Sequence, residues 1–345
     1  MKARAPSFWW QEPSVPSRML APLAGLYGAA AGRNLSRGER TAFDLPVLCI
    51  GNFTAGGGGK TPTALALGQA ALAAGRRPGF VSRGHGRRAR RAMIVDPDRH
   101  GVREVGDEPL LLAKVAPTAV AANRAAALAL LSSEHDIDFV IMDDGFQSQR
   151  LKIDFALIAL DARRGIGNGR VIPAGPLRAP LTDQIAHADA LLVIGDGEAA
   201  SRPLRMMARA GRPIFSARLV PKSRQILIGE RLLAFAGIAD PEKFYASLAE
   251  LGAEVAETRD FPDHHGFTDS ELYDLTETAA REGLILTTTA KDAVRLATGS
   301  EAAREFAGNC AVLDVALEFS SPAQAERIIR ETLAAFERRR WAPRT

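Results

Sequence analysis

The chain has 345 residues, 46% hydrophobic and 24% charged, with a formal net charge of +4. That is enough apolar material for a real core, and the length points to two domains rather than one. The mild charge does not by itself mark a nucleic-acid binder, and Cys49 and Cys310 lie far apart without metal-ligand spacing, so they read as free thiols in a reducing compartment.

At the N-terminus Phe8, Trp9 and Trp10 precede a charge-free stretch, 19–32, held between Arg18 and Arg33. No apolar run approaches the roughly 18–20 residues that span a bilayer as a helix. A signal peptide would share the basic-then-apolar order, but Pro6, Pro13, Pro16 and Pro22 break that pattern. The nucleotide site that follows in the chain also calls for cytosolic nucleotide. Residues 1–40 are therefore expected to form a membrane-surface helix region. Leu20, Leu23, Leu26 and Tyr27 would rest in the interface, with Trp9 and Trp10 in its aromatic belt. The alternative, favoured by the many alanines and glycines, is a helix packed on the protein's own core.

From residue 47 onward, strand-like and helix-like patterns alternate, the mark of a mostly parallel α/β sheet. Strands are expected at 47–50, 78–81, 119–122, 139–142, 155–160 and 190–194, and helices at 60–74, 109–115 and 124–132. Runs apolar on both faces fit strands covered by helices on either side. Residues 203–213 and 220–224 read as connections. A restart with a strand at 226–235, helices at 241–251 and 269–281, strands at 284–287 and 312–315 and a closing helix at 322–338 complete the pattern. The expected division is 41–219 for a P-loop domain and 220–345 for a smaller α/β domain closing the cleft.

The strongest signal is Gly51-Asn-Phe-Thr-Ala-Gly-Gly-Gly-Gly-Lys-Thr61, set between a strand and a helix. Backbone N–H groups of Thr54, Ala55, Gly56, Gly57, Gly58 and Gly59 can converge on phosphate, aided by the helix dipole. Lys60 would neutralise the β- and γ-phosphates of ATP and the Thr61 hydroxyl would ligate Mg²⁺. Thr54 stands where the strict pattern wants glycine. Asp143-Asp144-Gly-Phe-Gln147 ends an apolar strand, where an aspartate reaches the ligand crevice and can hold the metal.

In Gly106-Asp-Glu-Pro109 either Asp107 or Glu108 could cap a helix, take a proton from an acceptor hydroxyl or bind Mg²⁺. Phe261-Pro-Asp-His-His-Gly-Phe267 pairs two histidines in one loop, suited to acid–base or orienting work. The basic stretch 82–91 is either a solvated loop or a site for an anionic substrate or headgroup, the rigid Pro173-Ala-Gly-Pro-Leu-Arg178 suggests a shaped loop near a site, and Lys291 and Asp292 follow a strand end.

Taken together these motifs, with Phe235-Ala-Gly-Ile-Ala-Asp240 and Thr289-Ala-Lys-Asp292, resemble the tetraacyldisaccharide 4′-kinase family of lipid A biosynthesis. His85, Ala179 and Ala290 depart from the family's pattern, which bears on fine substrate contacts rather than on the reaction. The resemblance implies transfer of the ATP γ-phosphate to the 4′-hydroxyl of tetraacyldisaccharide 1-phosphate, giving lipid IVA, with Mg²⁺. It further implies a peripheral enzyme on the cytoplasmic face of a Gram-negative inner membrane, with no nucleic acid and no obligate protein partner. By the same resemblance Asp107 and His264 form the base and its partner, Glu108, Asp143 and Asp144 serve around Mg²⁺, and Arg83, Gln147 and Arg178 serve the substrate. A P-loop ATPase or GTPase switch is the rival class, and the absence of an Asn-Lys-x-Asp sequence weakens its GTPase form.

Overall fold

The structure is a computed structural model that describes residues 5–37, 40–87, 91–148, 150–222 and 227–342. Arg88 and Arg90 of the basic stretch lie outside the described residues, as do parts of the expected segments at 1–4, 38–39, 223–226 and 343–345.

The strands are β1 (Val47–Gly51), β2 (Pro78–Ser82), β3 (Met93–Ile94), β4 (Thr118–Val120), β5 (Phe139–Asp143), β6 (Phe155–Asp161), β7 (Ala190–Ile194) and β8 (Ile214–Pro221). They continue with β9 (Arg231–Ala236), β10 (Glu254–Asp260), β11 (Ile285–Thr289), β12 (Ala311–Leu313) and β13 (Val315–Phe319). Among the described residues, nine form one sheet in the order β13-β8-β7-β6-β1-β5-β2-β4-β3, and four form a second in the order β10-β9-β11-β12. Pairing in the large sheet is parallel except at its edges, β3 with β4 and β13 with β8, and the small sheet is parallel throughout.

The apolar runs sit in the middle because both their faces are covered. Along β1, Val47 and Cys49 point into one core layer while Leu48 and Ile50 point into the other. The Lys60–Ala73 helix lies over the second layer, and the Arg124–Glu134 helix buries Leu128 and Leu131 in the first.

Three stretches differ from expectation. Residues 214–221 form β8, which takes in 220–221 of the expected connection at 220–224 and the unassigned 214–219. Its alternating burial makes it a one-faced strand, and Pro221 at its end removes no needed ladder bond. Residues 203–213 are mostly covered by the Ser201–Arg209 helix, where Pro203 falls in the first turn and is tolerated. Most consequentially, the chain does not stay with the small sheet after residue 220. β13 pairs with β8 of the large sheet, and the Pro322–Trp341 helix buries Ile328 and Ile329 against that sheet. The small sheet thus covers only the strands from β9 to β12, inside the expected 220–345 unit.

At the N-terminus the Ala21–Arg37 helix has two apolar faces of different kinds. Ala24, Gly28, Gly32 and Leu35 are buried, and Gly32 lies so close to Asp183 that a Cβ would stand 2.2 Å from its Oδ2. Leu23, Leu26 and Tyr27 are exposed, as are Val15 and Met19 just before them. Among the described residues no helix is long and apolar enough to cross a membrane.

Candidate active site

β1 and β5 are parallel neighbours with Ile50 opposite Asp143, so the glycine-rich loop and the aspartate pair rise from adjacent strand ends. Gly59 has φ 78, and a Cβ there would stand 2.5 Å from Ile194 Cδ1, so only glycine lets the loop turn into the Lys60–Ala73 helix. Asn52 Nδ2 donates to the Gly56 carbonyl at 3.0 Å. Ala55 N–H donates to Pro176 O at 2.8 Å, and Arg178 N–H donates to Phe53 O at 2.9 Å. Thr54 therefore behaves as a strand residue opposite Leu177, and its carbonyl accepts Arg178 Nε at 2.9 Å. That accounts for a threonine where the strict motif has glycine.

Thr61 Oγ1 donates to Asp143 Oδ2 at 3.3 Å, while the buried Asp143 Oδ1 has no hydrogen-bond partner among the described residues. Burial, reinforced by the Glu108 charge and opposed by Lys60, pushes the Asp143 carboxyl up to about 7. An orphaned carboxylate oxygen beside a threonine hydroxyl is the donor set a hard divalent cation such as Mg²⁺ takes, so these residues fit the ion. Asp144 behaves differently. It adopts a left-handed φ of 49, lies 3.8 Å from Lys60 Nζ, and accepts Arg178 at 2.9 and 3.3 Å. Burial would raise its carboxyl, but Lys60 and Arg178 hold it down at about 2. Gln147 donates to Asn52 O at 3.1 Å and accepts from Arg178 Nη1 at 3.1 Å, which makes it a brace under the loop. Arg83 is exposed at the end of β2.

The small sheet completes the site. Lys291 and Arg295 are one turn apart on the Ala290–Ala297 helix and meet the consecutive carboxylates of the Asp107–Leu112 helix. Lys291 Nζ donates to Glu108 Oε1 at 2.7 Å, and Arg295 Nε donates to Asp107 Oδ2 at 2.8 Å. His264 Nδ1 lies 3.0 Å from the same Asp107 oxygen. Burial favours neutral Asp107, but the His264 hydrogen bond and the Arg295 and Lys291 charges hold it well below the usual carboxylate range. Glu108 is lowered too, because Lys291 outweighs its burial. His264 sits at φ 57, its ring 4.9 Å from that of His85. A cleft of about 160 Å³ opens on this pair, walled by Arg103, Phe267 and Thr298 among others.

The expected site residues thus fall into two joined groups. Thr54, Gly56 to Lys60, Thr61, Asp143, Asp144, Gln147 and Arg178 surround the loop, and Asp107, Glu108 and His264 meet at the contact of the two sheets. Glu108 is engaged by Lys291 rather than by Thr61 or Asp143. Sequence reasoning gave Arg295 no role, although its four-residue spacing from Lys291 puts both on one helix face.

A family model described as tetraacyldisaccharide-1-P 4′-kinase matches residues 16–334. The chain belongs to that family. It is 53% identical over 339 residues to the tetraacyldisaccharide 4′-kinase of Brucella anthropi, covering 98% of this chain and 99% of the relative. The tetraacyldisaccharide 4′-kinase of Mesorhizobium japonicum is 51% identical over 340 residues, with 99% of each chain covered. The crystal structure of LpxK from Aquifex aeolicus in complex with ATP superimposes with a TM-score of 0.70 at 27% identity, over 92% of this chain and 99% of that one.

Asp143 supplies a pH test. The folded protein binds its proton more tightly than the unfolded chain, so this carboxyl opposes folding increasingly as pH rises from about 4 to about 7. Metal-free Asp143→Asn should melt above wild type at pH 8, with the gap closing as pH falls below 7, and should lose the Mg²⁺-dependent stabilisation by ATP. Thermal scans showing the same melting temperatures as wild type at both pH values, or intact Mg²⁺–ATP stabilisation, would contradict this.

Proposed function

We propose that the chain transfers the γ-phosphate of ATP to the 4′-hydroxyl of tetraacyldisaccharide 1-phosphate, giving lipid IVA. The observation that carries this reading is the meeting of a phosphate loop with a buried carboxylate–histidine pair, Asp107 Oδ2 and His264 Nδ1 at 3.0 Å. A switch ATPase has no need of a proton acceptor for an alcohol, whereas a kinase does. Family membership points the same way.

Phosphoryl transfer asks for positioning and charge neutralisation more than for covalent chemistry by the protein. The loop N–H groups of 56–59 and Lys60 would cradle the β- and γ-phosphates, and Asp144 with Arg178 keeps Lys60 and the loop in place. Thr61 and Asp143 would hold Mg²⁺, which supplies charge neutralisation on the phosphates when bound. The Asp107–His264 pair takes the 4′-hydroxyl proton as the new O–P bond forms and the bond to the bridging oxygen of ADP breaks. The proton enters through His264, because the Asp107 side chain is 1% exposed against 18% for His264. Arg83, exposed at the end of β2, is a cation that could meet the acceptor's phosphate, while Gln147 and Arg178 act by shaping the loop.

The direct test is incubation with γ-labelled ATP and acylated disaccharide 1-phosphate. Label should appear in lipid, and Lys60→Ala should abolish it. Asp107→Asn should lower kcat by about 10²–10⁴-fold with ATP affinity nearly unchanged. Phosphate release with no label in lipid would overturn the reading in favour of the switch class.

We further propose that the enzyme works as a peripheral protein on the cytoplasmic face of the inner membrane. The support is the division of labour on the Ala21–Arg37 helix, where small residues pack inward and Leu23, Leu26 and Tyr27 face out. Leu23→Asp with Leu26→Asp should weaken binding to anionic vesicles and slow reaction on bilayer-embedded acceptor, yet spare activity in detergent. Undiminished sedimentation with vesicles would remove the helix from membrane docking.

A further inference from the structure

Arg295 belongs to the small sheet's Ala290–Ala297 helix, yet its guanidinium is committed to the reaction centre. Its side chain is 4% exposed, and both Nε and Nη2 donate to Asp107 Oδ2. Nη1 is fixed from behind by Asp292 Oδ1 and the Gly237 carbonyl, each at 2.6 Å. That carbonyl also accepts the backbone N–H of His264 at 3.0 Å. Asp292 is itself pinned by Thr289 Oγ1 at 2.7 Å and Gly237 N–H at 3.1 Å. There is no slack at Gly237, where a Cβ would lie 3.0 Å from Asp292 Oδ1 and 3.2 Å from Arg295 Nη1.

We infer that Arg295 is a positioning residue for phosphoryl transfer, one that locks the Asp107 carboxylate and the His264 backbone to a single frame so that the imidazole keeps one tautomer and one direction. A planar fork suits this because two of its N–H groups converge on Asp107 Oδ2 while a third reaches the carbonyl behind. A lysine, as a point charge, keeps the attraction but not the orientation. Arg295 does not itself touch the reacting atoms in this account; it acts through the pair. The inference rests on the reading of Asp107 and His264 as proton acceptor.

The test compares wild type, Arg295→Met, Arg295→Lys, His264→Ala and the Arg295→Met/His264→Ala double variant, with labelled ATP and detergent-dispersed acceptor. Arg295→Met should lower kcat about 10- to 100-fold while KM for ATP stays within about twofold, and Arg295→Lys should recover part of that loss. The double variant should lose hardly more than His264→Ala alone, because both changes disable one unit. In ¹⁵N-histidine-labelled protein the His264 ring should show a protonated Nδ1 in wild type and a tautomer mixture in the Arg295 variants. Multiplicative losses, or an unaltered His264 ring signal in a variant with lowered kcat, would reduce Arg295 to a fold-stabilising ion pair. Wild-type kcat in a folded Arg295 variant would remove it from the reaction altogether. If Arg295→Met does not fold, Arg295→Lys is measured for the same drop in kcat, the same ring signal and the same cycle with His264→Ala. Wild-type kcat in His264→Ala would instead overturn the underlying reading of the pair.

Discussion

Asp107 and Glu108 are neighbours in the first turn of a six-residue helix, Asp107 buried and Glu108 half-buried. Two adjacent anions largely withdrawn from water need counter-charges held in good geometry, and breaking a fully buried pair, as Arg295–Asp107 is, typically costs about 3–5 kcal/mol. The counter-charges come from the other sheet. Lys291 meets Glu108 and Arg295 meets Asp107, from consecutive turns of one helix. The Asp107 carboxylate, half of the proposed proton-accepting pair, is thus charged and aimed by the second sheet.

The phosphate side follows a different rule. Of the aspartates at the end of β5, Asp144 is engaged by Lys60 and Arg178, whereas Asp143 keeps an oxygen that no group among the described residues satisfies. One carboxylate organises the loop, and its neighbour carries the oxygen proposed to meet Mg²⁺. Further contacts tie the sheets together at the same edge. Arg164 pairs with Asp240 at 2.7 Å, Lys243 pairs with Asp161 at 2.6 Å, and the Trp10 ring lies under the Arg164 guanidinium at 5.0 Å. The N-terminal aromatic segment therefore leans on a residue that also holds the small sheet.

Much of this was legible in the chain. The strands near 47–50 and 139–142 announce themselves as short apolar runs, and the Gly-Lys-Thr sequence and paired aspartates mark their ends by local chemistry alone. Other parts were not. β10 carries Glu254, Glu257, Arg259 and Asp260 in an edge strand whose residues are all exposed or half-buried, so it has no apolar run to betray it. The return of β13 to β8 across nearly a hundred residues is a pairing that periodicity cannot specify. The family resemblance assigns Gln147 and Arg178 to the substrate, and their engagement with the loop's own backbone and Asp144 is a contact that sequence spacing does not specify. Arg295 was invisible for the converse reason. Its four-residue spacing from Lys291 is on the page, but the carboxylates it serves lie 188 residues away in sequence.

The central claim is that the carboxylates of one sheet and the cations of the other act as joined pairs during phosphate transfer. The most direct measurement is a double-mutant cycle in kcat/KM with Glu108→Gln and Lys291→Met, the pair farther from the proposed base. On this claim a coupling on the order of 1–3 kcal/mol is expected, as for residues in direct contact in a half-buried ion pair. Additive effects, within about 0.5 kcal/mol, would show that the two sheets contribute to the reaction independently and would contradict it.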